Sequence, residues 1–297
     1  MTSGLRLFIL ALILVAGVAS NAADRLTVYT ANYPLAYFAD RIGGEHVDVV
    51  LPMPPDVDPA FWQPDAAAVA GFQRADLILL NGADYAKWLK RASLPRRKLI
   101  NTSEAFEDEY ITIREMVTHQ HGPGGEHVHA GTAFTTWLDF SQAIEQARAI
   151  EQALVKKRPA LAETFGQNFR VLEQQLNSLD QTIMAMAAKH PEKLLMASHP
   201  IYQYFARRYN IKLQSVMWEP QVVPDQSQWH ALQRQLDTYQ AEWMIWEGTP
   251  DERSTTRLKS LGLDSLVFDP CANTPATGDF MTVMKRNIVQ LEKAFQP

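Results

Sequence analysis

The segment Pro159–His190 constrains the fold of this sequence more than any other. Its apolar residues recur at spacings of three and four, and the residues between them are mostly polar. This pattern is typical of a single amphipathic helix, and proline is tolerated in a helix's first turn. Such a helix would be roughly 45 Å long, longer than one small domain needs. It is either an ordinary core helix or a rigid backbone along two lobes, and periodicity alone does not separate the two.

Short runs of β-forming residues alternate with helical patterns on both sides of this segment. LTVY, VDVVL and ADLILL precede it, and LLMA, WMIW and SLVF follow it. Alternating strands and helices favour parallel sheets covered by helices. We therefore predict an α/β fold of two lobes, each a mostly parallel sheet flanked by helices, bridged by one long rigid helix. The predicted segments are a signal peptide (1–22), an N-terminal lobe (23–157), a linking helix (158–190) and a C-terminal lobe (191–297).

The first residues have the features of an export signal. Arg6 precedes the short apolar run Leu7–Leu14, and small residues stand at Ser20-Asn21-Ala22. The apolar run is shorter than a membrane span, so we expect cleavage near Ala22. No cysteine lies near that point, which favours a free periplasmic protein over a lipoprotein. Cys271 is the single cysteine, so no intramolecular disulfide is expected.

Composition excludes several functional classes. The formal net charge is −5 and no basic stripe is present, which argues against nucleic-acid binding. Beyond the predicted signal, no stretch resembles a membrane helix. The sequence also lacks a phosphate loop, a GxSxG elbow and an HExxH motif. We therefore expect a monomeric binding protein without stable membrane insertion and not an enzyme.

Residues 117–131 (VTHQHGPGGEHVHAG) contain four histidines and four glycines and little that can pack. We predict a mobile surface loop here. Imidazole groups suit zinc, copper, nickel and iron, so the loop is predicted to collect metal ions at low affinity, with a solvated polar loop as the alternative. The candidate ligands are His119, His121, Glu126, His127 and His129.

Three ionisable residues follow predicted strands of the second lobe. His199 follows LLMAS, Glu247 follows MIW, and Asp269 follows LVF. Carboxyl ends of parallel strands are where α/β sheets place ligand-binding groups, so these side chains are candidates for one shared metal site. The alternatives are helix capping for His199 and Glu247 and an Asp-Pro turn for Asp269. Cys271 is a soft donor two residues further on, but it is left out of the predicted set.

Four passages carry a family resemblance over essentially the whole mature chain. They are VYTANYPLAYFADRIGGEHVDVVLPM, FQRADLILLNGADYAKWL, TWLDFSQAIEQARAIEQALVKKRP and ASHPIYQYFARRYNIK. They resemble the zinc/manganese solute-binding proteins of bacterial ABC transporters, whose zinc members often carry a histidine-rich loop. The resemblance implies two α/β lobes bridged by a rigid helix, an ion held between them, and a permease with its ATPase as partners.

The resemblance also implies a ligand set from which this sequence departs. Zinc members usually hold the ion with three histidines and one carboxylate. His199 and Asp269 match the third and fourth positions. The first position, after Asp58-Pro59, is Ala60, and the second, before Trp137, is Thr135. Two expected histidines are therefore replaced.

Three explanations of this departure stay open. His127 or His129 of the histidine-rich loop replaces the missing ligands. Alternatively, the site binds Fe²⁺, Mn²⁺ or a metal chelate in a roomier pocket that Trp62 helps to line. In the third, metal binding is lost and the chain is an accessory interaction protein. The first expectation is capture of a transition-metal ion, with Zn²⁺ ahead of Fe²⁺ and Mn²⁺, for delivery to an ABC importer.

Overall fold

The computed structural model describes residues 25–120 and 126–296. The predicted signal peptide (1–22) and His121 lie outside the described residues. The elements before the long helix are, in chain order, β1 (Leu26–Thr30), α1 (Tyr33–Gly43), β2 (Val47–Val50), α2 (Ala66–Arg74), β3 (Leu77–Leu80), β4 (Leu99–Asn101), β5 (Thr112–Gln120), β6 (Glu126–Thr132) and α3 (Phe140–Lys157).

The second half repeats this alternation. The long helix and the elements after it are α4 (Ala162–Lys189), β7 (Leu194–Ala197), α5 (Gln203–Tyr209), β8 (Lys212–Ser215), α6 (Gln226–Leu236), β9 (Trp243–Trp246), α7 (Glu252–Ser260), β10 (Asp264–Val267) and α8 (Phe280–Ala294). Within the described ranges, no helix has both the length and the apolar character of a membrane span.

Two four-stranded sheets form the centres of the two lobes. The strand order is β2-β1-β3-β4 in the first sheet and β10-β9-β7-β8 in the second. Every pairing in both sheets is parallel. The predicted α/β class with parallel sheets is therefore confirmed. Parallel pairing also brings the carboxyl ends of all strands in a sheet to one edge, where ligand sites form.

Side-chain caps explain where several helices begin. The Asn32 side chain accepts a hydrogen bond from the Leu35 amide at the start of α1. Asp139 caps α3 by accepting from two backbone amides, and Asp279 caps α8 in the same way through Thr282. These side chains satisfy amides that have no partner inside the helix. The local sequence therefore fixes the ends of helices that flank both sheets.

Helix α4 is the predicted backbone helix, and its 28 residues span roughly 42 Å. A short 3-10 turn, Pro159–Leu161, precedes it. Its buried apolar face belongs to a hydrophobic cluster that contains Val28 of the first sheet and Ile245 of the second. The helix residues in that cluster are Phe165, Phe169, Leu172, Leu176, Leu179, Ile183 and Ala187. The prediction of a long helix serving both lobes is thus confirmed, because its stripe packs against both.

Helix α8 gives a second connection between the lobes. Its first residue, Phe280, packs edge-to-face on Phe38 of α1, with ring centroids 5.3 Å apart. Tyr37 contacts the same ring at 5.6 Å. The chain therefore returns to the N-terminal lobe at its end, and the apolar core of the two lobes is continuous.

The histidine-rich segment contradicts the expectation of an irregular loop. Strands β5 and β6 pair antiparallel, with a register shift between Ile113 and Val117. His119 is the register partner of His127, and Val117 is the partner of His129. Strand pairing gives the backbone amides and carbonyls hydrogen-bond partners that an irregular loop lacks. Residues 117–120 and 126–131 are thus part of a β-hairpin whose connecting residues, 121–125, lie outside the described chain.

A charged cluster joins α4 to α5 on the side of the second lobe. Two Arg208 nitrogens contact the two Asp180 carboxylate oxygens at 3.0 and 2.6 Å. The Tyr209 hydroxyl donates to the same carboxylate at 2.9 Å. Asp180 is almost completely buried, and this hydrogen-bonded contact raises the pKa of Arg208. The planar guanidinium pairs well with a carboxylate in this two-bond geometry.

Replacing Asp180 should therefore destabilise the protein. For Asp180→Asn we expect the free energy of unfolding to fall by about 2–3 kcal/mol, somewhat less than for a fully buried pair because Arg208 is partly exposed. The exposed Asp264, 4.0 Å from Lys259, gives the matched control Asp264→Asn, with an expected loss below about 0.5 kcal/mol. Urea denaturation measures both. Equal losses in the two variants would contradict the assignment of a stabilising role to the Asp180 pair.

Candidate metal centre

A small cavity of about 40 Å³ lies where the two lobes meet. Aromatic side chains of the N-terminal lobe form much of its wall, namely Phe61, Tyr85, Phe134 and Trp137. Ile201, Pro270 and Ala272 close it from the C-terminal lobe. Three ionisable side chains also line it, Asp58 from the first lobe and His199 and Glu247 from the second. The cavity therefore combines a low-polarity wall with groups that can bind a cation.

His199 is the centre of a group of three potential metal ligands. Its Nδ1 atom lies 3.6 Å from Glu247 Oε1 and 4.0 Å from Glu219 Oε1. One ligand atom from each of these residues lies within 4.8 Å of the others. Two ligands of one zinc ion are at most about 4.3 Å apart, since metal–ligand bonds are about 2.0–2.2 Å. Small side-chain adjustments would therefore let all three reach a common ion.

Backbone hydrogen bonds beyond the strand ends explain why these residues converge. The Ser198 amide donates to the Ile245 carbonyl at 2.8 Å, and the Ser198 carbonyl accepts from the Trp218 amide at 2.7 Å. The second bond joins Trp218 to Ser198, and Glu219 and His199 are the residues that directly follow these two. Glu247 directly follows Trp246, the last residue of β9. The three ligands thus sit at one edge of the parallel sheet, as expected for α/β binding sites.

The prediction from strand ends identified only part of this three-residue group. It grouped His199 with Glu247, which the structure brings together. It missed Glu219, although this residue directly follows the mostly apolar run LQSVMW (213–218) and so offers a similar signal. Asp58 was recognised only as part of an Asp-Pro pair, and nothing in its local sequence indicates that it lines the cavity.

Asp269 follows β10, the strand beside β9 in the second sheet. It lines a second, larger cavity of about 510 Å³ together with Arg286, and its Oδ1 accepts from the Cys271 amide at 2.7 Å. Burial raises the pKa of this carboxyl, while that hydrogen bond and the Arg286 charge act in the opposite direction. Asp269 is not part of the three-ligand group among the described residues. Its role as a ligand remains a prediction.

Ala60 and Thr135, the two positions of the missing histidines, are both buried. The Thr135 hydroxyl donates to the Ile201 carbonyl of the other lobe, and its side chain lines the cavity. Trp62 instead packs on Trp88, and the neighbouring Phe61 lines the cavity in its place. The expected roomier pocket with Trp62 in its wall is therefore not present.

Tyr85 is the polar group of the N-terminal wall. Three consecutive residues, Gly82, Ala83 and Asp84, have positive φ angles of 74°, 49° and 54° and turn the chain just before it. Burial and the nearby charge of Asp58 hold the pKa of Tyr85 well above its usual value. Its hydroxyl is buried and has no hydrogen-bond partner among the described residues. Tyr85 is therefore a neutral donor facing the same cavity.

For the histidines of the β5–β6 hairpin, the structure gives the strand to which each belongs. His119, His127 and His129 belong to β5 and β6, whereas His121 lies outside the described residues. Glu126 begins β6 and is the register partner of Gln120. That these residues bind metal or replace the missing ligands remains a prediction.

The chain has two parallel-sheet lobes joined by a long helix, with a group of potential ligands where the lobes meet. These features define a two-lobed solute-binding protein. The family model for the zinc-uptake complex component A, periplasmic (ZnuA) matches residues 28–294. The chain belongs to this family, which confirms the resemblance noted in its sequence motifs.

Curated relatives are similar over most of this chain. The zinc-binding lipoprotein AdcA of Streptococcus pneumoniae is 24% identical over 95% of this chain and 58% of its own length. The high-affinity zinc uptake system protein ZnuA of Bacillus subtilis is 28% identical, over 76% of this chain and 70% of that protein. A metal ABC transporter substrate-binding lipoprotein of Lactococcus lactis is 26% identical, with 95% and 94% covered. This chain thus spans little more than half of AdcA.

Solved structures share the fold. The metal-dependent lipoprotein YcdH of Bacillus subtilis has a TM-score of 0.78 at 21% identity, covering 91% of this chain and 99% of YcdH. FpvC of Pseudomonas aeruginosa in complex with Ni²⁺ has a TM-score of 0.73 at 20% identity, with 92% and 97% covered. At these identities the likeness supports the two-lobed fold.

The relatives contradict the localisation expected from the sequence. AdcA and the Lactococcus lactis protein are named lipoproteins, a class held at the membrane through a lipid-modified cysteine. The prediction of an unanchored periplasmic protein released by cleavage near Ala22 is therefore wrong. A lipoprotein differs from an unanchored protein in its acyl chains, which add membrane affinity.

Cys271 should be chemically inert in the folded protein. Its side chain is buried, and burial together with the Asp269 charge raises its thiol pKa. Because the thiolate is the reactive form, we expect native labelling by Ellman's reagent to be at least about tenfold slower than labelling in urea. The denatured chain is the control and should release one equivalent of chromophore, since Cys271 is the single cysteine. Equal rates in the two states would show that this thiol is accessible.

Proposed function

We propose that this protein captures a divalent transition-metal ion at the seam of its two lobes and delivers it to an ABC importer. The observation that carries the proposal is the placement of His199, Glu219 and Glu247 with ligand atoms within 4.8 Å of one another. His199 and Glu247 line a small interlobe cavity. An imidazole and two carboxylates at one point are suitable ligands for a divalent metal.

The names of the relatives support this function. AdcA is named for zinc binding, the Bacillus subtilis relative for high-affinity zinc uptake, and MtsA of Streptococcus pyogenes for iron transport. Structures of similar fold were solved with Zn(II), Ni²⁺ and Mn²⁺. The family consists of substrate-binding proteins and not of enzymes, so the proposed partners are a permease and its ATPase. Zn²⁺ is the first ion to test, with Fe²⁺ and Mn²⁺ as alternatives.

The size of the cavity favours a bare or hydrated ion over a metal chelate. Its volume is about 40 Å³, whereas pockets for organic ligands are typically about 300–1,000 Å³. One water molecule occupies about 30 Å³ of liquid. The cavity thus has room for an ion and very few waters.

We also propose that the hairpin collects ions before they reach the seam. The support is its content of histidines, with His119 and His127 as register partners in β5 and β6. Imidazoles on such a hairpin can bind metals singly or in pairs, at lower affinity than a site with three ligands. In this arrangement the hairpin supplements the seam site and does not complete it.

Removing the imidazole of the seam site should abolish tight metal binding. For His199→Ala we expect the affinity for Zn²⁺ to fall by about a hundredfold or more, since three protein ligands become two. Calorimetry on the tag-free, metal-free protein measures affinity and stoichiometry. The exposed His230 of α6 gives the matched control His230→Ala, which should bind as the unaltered chain does. Absence of 1:1 binding by the unaltered chain would refute metal capture.

Changing the hairpin histidines should have a different effect. We replace His119, His121, His127 and His129 together by glutamine, which keeps the length of the segment. One tight site should remain, and weaker binding beyond the first equivalent should disappear, because the seam ligands are unchanged. Calorimetric titration to excess Zn²⁺ distinguishes the two classes of site. Loss of the tight site would instead show that hairpin histidines replace the ligands absent at Ala60 and Thr135.

A further inference from the structure

The carboxyl edge of the first sheet holds a buried network of polar side chains. Asn81 directly follows β3, Thr102 directly follows β4, and Asn32 lies two residues after β1. Gln146 of α3 and Thr136 complete the network, and all five residues are at most 1% exposed. Burying polar side chains costs free energy unless each one is hydrogen-bonded. A group of five at one sheet edge therefore points to a role beyond apolar packing.

Asn81 is the centre of this network, and its side-chain amide is fully hydrogen-bonded. Its Oδ1 accepts from Asn32 Nδ2 at 3.1 Å and from Gln146 Nε2 at 3.2 Å. Its Nδ2 donates to the Phe134 carbonyl at 2.9 Å and makes a longer contact, 3.5 Å, with the Gly82 carbonyl. An amide side chain has two acceptor sites and two donor hydrogens, so all of them are used.

Gln146 makes a second connection between the network and the segment 134–136. Its Oε1 accepts from the Thr136 hydroxyl at 3.2 Å, and its Nε2 donates to Thr102 Oγ1 at 3.0 Å. The Thr102 hydroxyl in turn donates to the Leu80 carbonyl at 2.9 Å. Two separate amide side chains thus tie this segment to the ends of β3 and β4.

The segment 134–136 is part of the wall that the first lobe contributes to the candidate metal centre. Phe134 and Thr135 line the seam cavity, and the Thr135 hydroxyl donates to the Ile201 carbonyl of the other lobe. The three members of the ligand group, in contrast, all belong to the second lobe. The second lobe therefore supplies this ligand group, and the segment covers the cavity from the opposite side.

We infer that Asn81 is a positioning residue for metal retention, which slows the escape of the ion by holding the segment 134–136 against the second lobe. The inference rests on the proposed function and concerns how that site keeps its ion. Asn81 lies outside the described lining of the seam cavity. It therefore acts through the Phe134 carbonyl and not on the ion.

The cost of breaking the network explains why the segment stays in place. If it moved away, the Asn81 amide and the Phe134 carbonyl would lose their shared bond in a buried environment, where unpaired polar groups are costly. The same movement would separate Thr135 from Ile201 and admit water to the cavity. Water competes with protein ligands for the ion, so the rate of metal release should depend on the network.

The decisive variant is Asn81→Ala, which removes the donor to Phe134 and the acceptor for Gln146. We expect Zn²⁺ to leave this variant about tenfold faster than the unaltered full chain, the factor that loss of one buried hydrogen bond produces. Stopped-flow mixing of the Zn²⁺-loaded protein with excess EDTA measures the rate. The absorption spectrum of the Co²⁺-loaded variant should be unchanged, because the metal ligands are untouched.

The variant Thr136→Val gives a milder change in the same network. It removes the hydroxyl that donates to Gln146 and keeps the branched shape of the side chain. Release should be about threefold faster, since one of the two connections to the segment remains. An unchanged rate in both variants would overturn the inference.

The matched control is Leu154→Ala, in the same helix as Gln146. Leu154 is fully buried in the last turn of α3, eight residues and roughly 12 Å further along the helix. Its truncation leaves a cavity in the apolar core, so the urea midpoint of unfolding should fall at least as far as for Asn81→Ala. Metal release should nevertheless keep the rate of the unaltered chain. Equally fast release would show that any loss of stability accelerates it, and would overturn the inference.

Hydrogen exchange on the metal-free chain tests the position of the segment without an ion. Leu138 and Asp139 donate their amides to carbonyls of the segment 134–136. Asn81→Ala should speed exchange at these two amides, whereas Leu154→Ala should not. Unchanged exchange in Asn81→Ala would contradict the positioning role.

The outcomes separate this inference from the proposed function. If the unaltered chain binds metal 1:1 and Asn81→Ala releases it at the same rate, the inference is overturned and metal capture stands. If the unaltered chain binds no metal, metal capture fails and the role in retention fails with it.

Discussion

The packing of one long helix against helices of both lobes is the interaction on which the rest of this structure depends. The buried stripe of α4 belongs to one hydrophobic cluster with Leu77 of the first sheet and Leu195 of the second. Helix α8 extends that cluster back to α1. Protein interiors are close-packed, so sliding or wide opening of the lobes would separate apolar surfaces over the whole stripe. The distance between the two facing sheet edges is therefore set by packing.

The packing of the two lobes also determines which residues meet at the seam between them. The Trp137 indole donates to the Pro270 carbonyl at 2.8 Å, and Thr135 donates to Ile201 across the same boundary. These bonds hold aromatic and polar walls around a small cavity, and its ionisable groups all come from residues just beyond sheet or turn ends. The cavity thus combines aromatic walls with the ionisable side chains of Asp58, His199 and Glu247.

Much of the fold was predictable because its signals are local and periodic. The stripe of α4 has helical period over its whole length, and both halves alternate strands with helices as parallel sheets require. Caps such as Asn32 and Asp139 mark helix starts in the sequence itself. The histidine-rich hairpin was mispredicted, since glycine and histidine content indicates a loop, whereas the antiparallel pairing of β5 with β6 depends on backbone hydrogen bonds in a specific register.

The sequence by itself determined two lobes, their parallel sheets and the presence of His199 and Glu247 at strand ends. Only the tertiary structure decided which side chains share a cavity. Glu219 joins His199 because the Trp218 amide bonds to the strand beside it, whereas Asp269 lies in a separate cavity with Arg286. A strand end defines an edge of a sheet, but the turn after it sets the direction of the side chain. That direction depends on contacts between residues far apart in the chain, which local patterns do not encode.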